Sequence, residues 1–496
     1  MKNHNKILCA AILLMAIIGV STYAQVPLGN TMPANGVLGT SDFVTNTNYA
    51  SPTDTTLSEP SGVSADPTTG KLFVADRDNR RILRWSSAAK MLNGSAAEAV
   101  FGQPDFLTRT RNTGGLSAAT TNDPNAVCVD ANGHLWVADM TNNRVLRFDN
   151  ASTKSSSTPA EGVLGQPDFL TNSSGTTAVK MSTPTGIFVD ASGTLWVADK
   201  GNNRVLRFDN AAAKANGAAA DGVLGQTLFT TSIAGGAAAD SMNLPWGVYV
   251  DGTGRLWVAD RAHSRVLRFD NAASKANGAA ADGVLGQPDF VTSTYAKTQS
   301  GLGEPRGVSG DALGSLYVAD EGNTRIMVYS NAAAKANGAN ADYVIGQVDF
   351  TSDASSTTTT GISYPPSLFV DKVHNQIWVP DTYNHRVLRF DVKIEIPTSV
   401  ESDLSAQRPT GYVLSQNYPN PFNPTTTISF TLPREGFVTL EVRNILGQLV
   451  ATLVDENLSA GLHTVRFDAS RFASGAYFYR LSAGGIQEVR KMLLMK

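Results

Sequence analysis

Short apolar runs of four to seven residues recur in a fixed order along most of the chain, and Gly, Asp or Asn residues separate them. One of these runs ends in aspartate and is found six times, as LFVAD, LWVAD three times, LYVAD and IWVPD. Its last residues stand 60 to 63 positions apart, at Asp76, Asp139, Asp199, Asp260, Asp320 and Asp381. A unit of this size cannot bury a hydrophobic face alone, so the copies are predicted to pack against one another.

Each unit contains four such runs, rich in Val, Leu, Ile and aromatic residues, which is typical of four short strands. The first strand follows a proline, which suits a strand entrance because proline donates no ladder hydrogen bond. These entrance prolines are Pro60, Pro124, Pro184, Pro245, Pro305 and Pro365. Most turns between the first and second strands carry Asp and Gly, and only four residues join the second strand to the third, so neighbouring strands are predicted to be antiparallel.

Four-stranded antiparallel sheets repeated around an axis form a β-propeller, which leaves only short, protected edges. Six units predict six blades. The fourth-strand phrase first occurs at Gly36, before any other strand, and the last unit stops at its third strand, which ends at Phe390. We therefore expect an all-β propeller domain over residues 25–391, in which the N-terminal strand completes the last blade and closes the ring.

Two phrases of the repeat are distinctive: D-x-x-N-x-R, as in DMTNNRV and DKGNNRV, and P-x-G-V-x-V-D. Together they resemble the NHL repeat family over roughly residues 36–391, with six units in register. The resemblance implies a six-bladed propeller. Most such propellers are binding platforms and some relatives are lyases or hydrolases, so the resemblance leaves both kinds of function open.

The repeat pattern stops after Asp391, and residues 392–411 have the proline-containing, polar and charged character of a linker. Residues 412–496 then alternate strand-like runs with Gly and Asn turns, which predicts a small β-sandwich. The order YPNPFNP, ILGQ and SGAYFYRL is similar to the type A sorting domain of the type IX secretion system. That resemblance implies export through a Gram-negative outer membrane, with the secretion machinery as a partner.

Residues 1–24 are predicted to be a secretory signal peptide. Two lysines precede an apolar run over residues 7–20, and small residues lead up to Ala24. The run is shorter than the roughly 20 residues that span a bilayer as a helix, so no transmembrane span is expected. The mature protein is therefore predicted to be extracellular or attached to the outer cell surface. Its one cysteine, Cys128, can form no internal disulfide.

Composition narrows the function further. A formal net charge of −3 and a pI near 6.1 give no basic field for a phosphate backbone, so nucleic acid is not expected as a partner. The histidines of the mature chain stand singly in the sequence, which favours surface turns over a zinc site. We find no nucleophile elbow and no phosphate loop, so no catalytic residue and no cofactor is predicted. The aspartate and arginine that recur in every unit suit a structural turn clasp.

Function is expected where the units differ, on loops carried by the rigid ring. The loops that enter the first strand and those that join the second strand to the third share one face, because alternate strand ends of an antiparallel sheet point the same way. On this face the predicted ligand-binding residues are Trp246, Arg261, Arg306, Arg77 and Lys200. An aromatic ring beside cations suits a sugar ring or a peptide side chain with a carboxylate. The same residues also fit solvated loop charges and a tryptophan packed between blades.

Three acids on the same face suggest a different function. Glu59, Asp123 and Glu304 each precede an entrance proline and could converge at the channel mouth. Ca²⁺ prefers oxygen ligands, and some six-bladed lactonases and related hydrolases use a channel-bound cation in this way. Two hypotheses result: a secreted propeller that binds protein, peptide or glycan without catalysis, or a cation-dependent hydrolase or lyase.

Overall fold

The structure is a computed structural model that describes residues 26–47, 49–89, 91–393, 412–417, 419–458 and 461–495. The chain divides into two compact units, residues 1–395 and 396–496, and each is described by itself. The predicted signal peptide lies outside the described residues, and so do residues 394–411 of the predicted linker. In the described part of the chain, no helix is long and apolar enough to cross a membrane.

The first unit begins with β1 (Val26–Pro27) and β2 (Gly36–Leu38) and continues with six sheets, which we call blades 1 to 6. Blade 1 contains β3 (Pro60–Ala65), β4 (Leu72–Asp76), β5 (Arg81–Trp85) and β6 (Ala99–Phe101). Blade 2 contains β7 (Pro124–Val129), β8 (Leu135–Asp139), β9 (Arg144–Phe148) and β10 (Gly162–Leu164). Blade 3 contains β11 (Pro184–Val189), β12 (Leu195–Asp199), β13 (Arg204–Phe208) and β14 (Gly222–Leu224).

Blade 4 contains β15 (Pro245–Val250), β16 (Leu256–Asp260), β17 (Arg265–Phe269) and β18 (Gly283–Leu285). Blade 5 contains β19 (Pro305–Gly310), β20 (Leu316–Asp320), β21 (Arg325–Tyr329) and β22 (Tyr343–Ile345), and blade 6 contains β23 (Phe369–Asp371), β24 (Gln376–Asp381) and β25 (Arg386–Lys393). Single 3₁₀ turns lie at Met140–Asn142, Lys200–Asn202, Ala211–Ala213, Arg261–His263, Ala272–Ser274, Glu321–Asn323, Ala332–Ala334 and Thr382–Asn384.

The N-terminal segment closes the ring, as the sequence predicts. Strand β2 pairs antiparallel with β25, so that Val37 lies opposite Leu388 and the last blade gains its fourth strand. Strand β1 adds a short parallel pairing at the far end of β25. The innermost strands contact one another in one closed circle, in the order β3, β7, β11, β15, β19 and β23. The all-β, six-bladed propeller is therefore confirmed.

Neighbouring innermost strands touch through their backbones, and glycine makes this approach possible. A Cβ atom added to Gly186 would lie 2.3 Å from the carbonyl oxygen of Trp246. A Cβ atom added to Gly247 would lie 2.3 Å from the carbonyl oxygen of Arg306. Any larger residue would force the strands apart, so the glycine of the repeat keeps the ring tight around its axis.

The strand that carries the repeated apolar phrase is buried on both faces, because a neighbouring blade covers each side. In blade 2, Trp136 packs against blade 3, whereas Leu135 and Val137 pack against blade 1. Each of these side chains is at most 1 % exposed. This two-sided burial explains why the phrase is a continuous apolar run instead of an alternating one.

A buried ion pair joins the second and third strands of every blade, and we call it the clasp. The aspartate that ends the second strand accepts a hydrogen bond from Nε of the arginine that begins the third, at 2.6 to 2.8 Å, and both side chains are fully buried. The pairs are Asp76–Arg81, Asp139–Arg144, Asp199–Arg204, Asp260–Arg265, Asp320–Arg325 and Asp381–Arg386. Their position agrees with the structural role that the repetition predicts.

Each clasp also fixes loops outside the sheet. In blade 2, Oδ1 of Asp139 accepts the backbone N–H of Asn122 at 2.8 Å, in the loop that enters the first strand. Nη1 and Nη2 of Arg144 donate to the carbonyl oxygens of Phe169 and Thr120, at 2.9 and 2.7 Å. Equivalent hydrogen bonds recur in the other blades. The clasp therefore anchors the long loops to the ring.

Burying the clasp carboxylate carries an electrostatic cost. Burial raises the pKa of Asp381 to about 6, against the opposing effects of Arg386 and of the hydrogen bonds from Asn384. Burial likewise raises the pKa of Asp139 and of Asp199, which their arginines oppose. The clasp thus acts mainly by fixing geometry, and removal of one partner would leave an unpaired charge in the interior.

Blade 4 completes its clasp with a histidine where the other blades use an asparagine. Nδ1 of His263 lies 2.9 Å from Oδ2 of Asp260, and Nε2 lies 3.2 Å from the carbonyl oxygen of Gly235 in a long loop. His263 and His385 are 5 and 3 % exposed. The expectation of surface histidines is therefore wrong for these two, because the turn that carries them lies beneath the long loops.

The second unit is a small β-sandwich, as the sequence predicts. Its strands are β26 (Val413–Leu414), β27 (Thr425–Leu432), β28 (Gly436–Asn444), β29 (Leu449–Leu458), β30 (Gly461–Asp468), β31 (Gly475–Ala483) and β32 (Ile486–Leu494). Strands β26, β27 and β30 form one sheet, and β29, β28, β31 and β32 form the other. Phe430 and Leu432 of the first sheet share one buried core with Leu440 and Tyr479 of the second.

We expect Arg204→Ala to destabilise the propeller by about 3–5 kcal/mol, because the Asp199 carboxylate would stay buried without its partner. Arg207→Ala is the matched control. Arg207 lies in the same strand, and its pair with Asp209 is partly exposed, so a loss of about 0–1 kcal/mol is expected. Urea unfolding of both variants measures the difference, and equal losses would contradict a special role for the clasp.

Candidate functional site

Four of the predicted residues come together at one mouth of the central channel. We call the face that carries them the upper face, and we call Lys200, Trp246, Arg261 and Arg306 the Trp246 cluster. Cζ of Arg306 lies 4.1 Å from the centre of the Trp246 ring, Nζ of Lys200 lies 4.9 Å away, and Cζ of Arg261 lies 5.7 Å away. Three neighbouring blades thus place three cations on one tryptophan.

The loop before each first strand has a strained backbone that positions these side chains. The residue before the entrance proline has a positive φ in every blade: 47° at Glu59, 69° at Asp123, 48° at Thr183, 52° at Leu244, 52° at Glu304 and 53° at Tyr364. Non-glycine residues rarely adopt this conformation, and here hydrogen bonds hold it. In blade 4, the N–H groups of Asn243 and Leu244 donate to the side chains of Asp260 and Asn203, at 2.7 and 2.9 Å. The clasp therefore helps to position the residue that follows each proline.

Trp246 is 8 % exposed, although it stands at the mouth. The cations over its ring leave little of the ring accessible to a ligand. This favours a supporting role, in which the tryptophan holds the cations in place, over direct stacking on a sugar ring. It also agrees in part with the interpretation of a tryptophan packed between blades.

The three cations of the Trp246 cluster differ in their carboxylate partners. Nε of Arg306 lies 2.6 Å from Oε2 of Glu321, and Arg261 pairs with Glu304. Nζ of Lys200, in contrast, has neither a carboxylate within ion-pair distance nor a hydrogen-bond acceptor in the part of the chain that the structure describes. Among the described residues, Lys200 therefore forms no ion pair, although Asp123 lies near enough to attract its charge.

Burial and repulsion from neighbouring cations lower the pKa of Arg306 and of Lys200. Burial, with repulsion from Arg261 and Arg77, lowers the pKa of Arg306 to about 10, even though Glu321 opposes the shift. Burial, followed by repulsion from Arg306 and Arg261, lowers the pKa of Lys200. An anion placed beside Lys200 would favour its charged form and reverse part of this effect.

Arg77 and the three acids of the alternative hypothesis lie around the same mouth. Arg77 pairs with Glu59, and its Nε lies 3.8 Å from Oδ1 of Asp123. Glu304 pairs with Arg261. Among the described residues there is no group of three or more His, Cys, Asp or Glu side chains placed to hold a metal ion. The acids thus serve as partners of arginines, and Arg77 belongs to this arrangement and not to the Trp246 cluster.

Four tyrosines on loops of blades 5, 6 and 1 form a part of the upper face that sequence reasoning missed. Tyr49, Tyr295, Tyr364 and Tyr383 are 54, 52, 40 and 48 % exposed. The rings of Tyr364 and Tyr383 lie 4.5 Å apart, and the hydroxyl of Tyr295 donates to the carbonyl oxygen of Gly322 at 2.5 Å. Exposed rings in fixed positions offer stacking surfaces. One feature of the sequence does indicate this tyrosine surface: Tyr364 precedes an entrance proline, as Glu59, Asp123 and Glu304 do.

A ring of aliphatic side chains, which we call the waist, lies beneath the mouth of the channel. The section next to the Trp246 cluster holds about 70 Å³ and is lined in part by Asn125, which is 3 % exposed. Nδ2 of Asn125 has no hydrogen-bond partner among the described residues. The waist consists of six aliphatic side chains, one from each blade: Val63, Val127, Ile187, Val248, Val308 and Leu368. Beyond it, a second cavity of about 380 Å³ opens at the opposite face, which we call the lower face.

Comparison with known families identifies segments of both units. The profile of the NHL repeat matches residues 121–148, 181–208 and 242–269. The profile of the secretion system C-terminal sorting domain matches residues 416–495. Both resemblances drawn from the sequence are thereby confirmed, and the sorting domain implies secretion or attachment at the cell surface.

Individual relatives are distant. The chloroplastic protein SUPPRESSOR OF QUENCHING 1 of Arabidopsis thaliana is 24 % identical over 167 residues, which are 33 % of this chain and 15 % of that protein. PorZ, an essential surface component of the type-IX secretion system of Porphyromonas gingivalis, is 13 % identical with a TM-score of 0.37, over 88 % of this chain and 51 % of its own. Virginiamycin B lyase from Staphylococcus aureus is 12 % identical with a TM-score of 0.37, over 71 % of this chain and 88 % of its own. None of these likenesses assigns an activity or a ligand.

The lowered pKa of Lys200 leads to a prediction about stability. We expect Lys200→Met to raise the melting temperature of the ligand-free protein at neutral pH, by an amount that corresponds to about 0.5–1 kcal/mol. Between the lowered pKa and the usual one, the unfolded chain binds more protons than the folded protein, so the stability of the parent rises with pH. The difference in stability between Lys200→Met and the parent should therefore become smaller as the pH rises through this range.

Scanning calorimetry at neutral and alkaline pH measures this difference. Lys214→Met is the matched control. Lys214 pairs with Asp221 at 2.9 Å, so its replacement is not expected to raise the melting temperature of the protein. A melting temperature of Lys200→Met below that of the parent at neutral pH would contradict the prediction.

Proposed function

We propose that this NHL-repeat propeller with a type IX secretion sorting domain is an exported binding platform, whose ligand docks on the upper face. The ligand is a protein, a peptide or a glycan that carries an acidic group. The observation that supports this most directly is Lys200, an ammonium group over Trp246 that has no carboxylate partner among the described residues. Arg261 and Arg306 beside it already have partners, so Lys200 is the charge that a ligand would satisfy.

Several donors at the mouth suit an acidic group. Lys200 supplies an ammonium group, Arg306 has guanidinium N–H groups beyond the one that faces Glu321, and Asn125 has an amide donor without a partner. Hydrogen bonds from charged donors to an anion are about twice as strong as neutral ones. A carboxylate beside Lys200 would also raise the pKa that burial and repulsion lower.

The exposed tyrosines extend the proposed site outward from the mouth. Tyr295 lies against the loop that carries Glu304, since a Cβ atom added to Gly303 would lie 2.6 Å from the Tyr295 ring. Tyr364 and Tyr383 continue this surface in blade 6. An extended ligand would place its charge on the Trp246 cluster and its sugar or aromatic rings on the tyrosines.

The pairing of the acids supports binding without catalysis. Glu59 and Glu304 each face an arginine, and Asp123 lies 3.8 Å from Arg77 and accepts a hydrogen bond from Thr141. These carboxylates therefore have structural partners at the mouth. The arrangement supports a platform more than a cation-dependent hydrolase or lyase.

Calorimetric titration of the full-length protein with matched polymers tests the proposal. Polygalacturonate is compared with its methyl ester, and polyglutamate with polyglutamine, because the members of each pair differ mainly in charge. We expect an acidic polymer to bind, and its uncharged match to bind about tenfold or more weakly. Lys200→Met and Trp246→Ala should each weaken binding about tenfold or more, whereas Lys214→Met should leave it unchanged. The proposal fails if neither acidic polymer binds, or if Lys200→Met binds as tightly as the parent.

The arginine partners of the acids also predict the response to calcium. Since Glu59 and Glu304 each face an arginine, Ca²⁺ added to chelator-treated protein is expected to leave the melting temperature unchanged. Differential scanning fluorimetry over a range of Ca²⁺ concentrations measures this. A saturable rise in melting temperature that Glu304→Gln abolishes would contradict the expectation and would favour the hydrolase or lyase.

A further inference from the structure

A second cavity lies at the lower face, at the end of the channel opposite the Trp246 cluster. Its volume of about 380 Å³ falls within the range of about 300–1,000 Å³ that is usual for small-molecule sites. Apolar side chains form most of its wall, among them Cys128, Val129, Phe188, Val189 and Phe369. A wall of this kind favours an apolar guest, because the guest leaves water when it enters.

The waist separates this cavity from the upper face. Each of its six aliphatic side chains is between 5 and 7 % exposed. A ring of aliphatic side chains disfavours the passage of ions and polar groups, since it offers them no hydrogen bonds. The lower cavity therefore lies on the opposite side of the waist from the Trp246 cluster.

Lys372 and Tyr249 form a polar pair in the wall of the cavity. Nζ of Lys372 donates a hydrogen bond to the hydroxyl oxygen of Tyr249 at 3.0 Å, and Tyr249 is 3 % exposed. The Tyr249 ring packs edge-on against Phe188, with 5.2 Å between the ring centres, so the hydroxyl is held in place. In the described part of the chain, Nζ of Lys372 has no second hydrogen-bond acceptor and no carboxylate within ion-pair distance. Within the described residues, the pair therefore offers N–H and O–H donors for which no acceptor is present.

The rim of the cavity is acidic. An aspartate stands at the end of each first strand: Asp66, Asp130, Asp190 and Asp371 line the cavity, and Asp251 and Asp311 do not. Each accepts backbone N–H groups of the following turn. Burial would raise the pKa of Asp66, but hydrogen bonds from Ser152, Thr68 and Thr69 outweigh it and hold that pKa below its usual value. A ring of carboxylates repels an anion that approaches the cavity.

From these features we propose that the lower cavity binds a small, uncharged and mainly apolar molecule that carries a carbonyl or another acceptor oxygen. The apolar body lies against the aliphatic and aromatic walls, and the oxygen accepts hydrogen bonds from Lys372 and Tyr249. The acidic rim disfavours an anion, and the ammonium group of Lys372 disfavours a cation beside it. An uncharged acceptor fits both conditions.

Fluorescence titration of the full-length protein with propionyl-dimethylaminonaphthalene, an uncharged naphthyl ketone, tests this site. We expect saturable binding of the ketone, and binding of the anionic anilinonaphthalene sulfonate that is about tenfold or more weaker. Tyr249→Phe removes one donor and should weaken ketone binding about threefold to tenfold. Trp246→Ala should leave ketone binding unchanged, because the waist separates Trp246 from the lower cavity.

A matched pair of rim variants distinguishes this cavity from other apolar surfaces. Val373 lines the cavity mouth and is 62 % exposed, whereas Leu313 occupies the equivalent turn position in blade 5, is 41 % exposed and does not line the cavity. Val373→Trp should obstruct the mouth and weaken ketone binding about tenfold or more, and Leu313→Trp should leave it unchanged. Absence of saturable binding, equal affinity for the two probes, or unchanged affinity in Val373→Trp would each overturn the proposal.

Discussion

The buried clasp between an aspartate and an arginine is the interaction on which the rest of the propeller depends. As an ion pair it gains little, because removing both charges from water opposes their attraction. Its contribution is a fixed point in each blade: the carboxylate of Asp139 holds the loop that enters blade 2, and the guanidinium of Arg144 holds the loops on either side. Six such points anchor the long loops to the ring.

Because the clasp is the same in every blade, the side chains at the mouth of the channel can differ from blade to blade. Because each clasp orders its entrance loop in the same way, an acid, a threonine, a leucine or a tyrosine can occupy the same strained backbone position before the proline. Equivalent backbones thus present different side chains around one opening. Cations gather on blades 3 to 5 and tyrosines on blades 5, 6 and 1, so a repetitive scaffold supports one asymmetric surface.

The fold could be predicted because the period of the repeat, its strand-like apolar runs and its turn residues can all be seen in the sequence. The Trp246 cluster could be predicted as well. Arg306 follows an entrance proline and Lys200 follows the aspartate that ends a second strand, and these two kinds of loop share one face. The charge pairing could not: Arg77 faces Glu59 within blade 1, whereas Arg261 reaches Glu304 of blade 5, and side-chain direction decides between such partners. Contacts between blades likewise determine the burial of Trp246 and the volume of the lower cavity, and sequence spacing does not report these contacts.

The central claim is that the ring holds Lys200 ready for an acidic ligand. The most direct test is its pKa, measured by NMR on reductively methylated lysines of the full-length protein, with Lys200→Met identifying the signal. The predicted result is a pKa below the usual lysine value in the free protein, which rises when an acidic polymer binds. A usual pKa in the free protein, or no change when the polymer is bound, would contradict the claim.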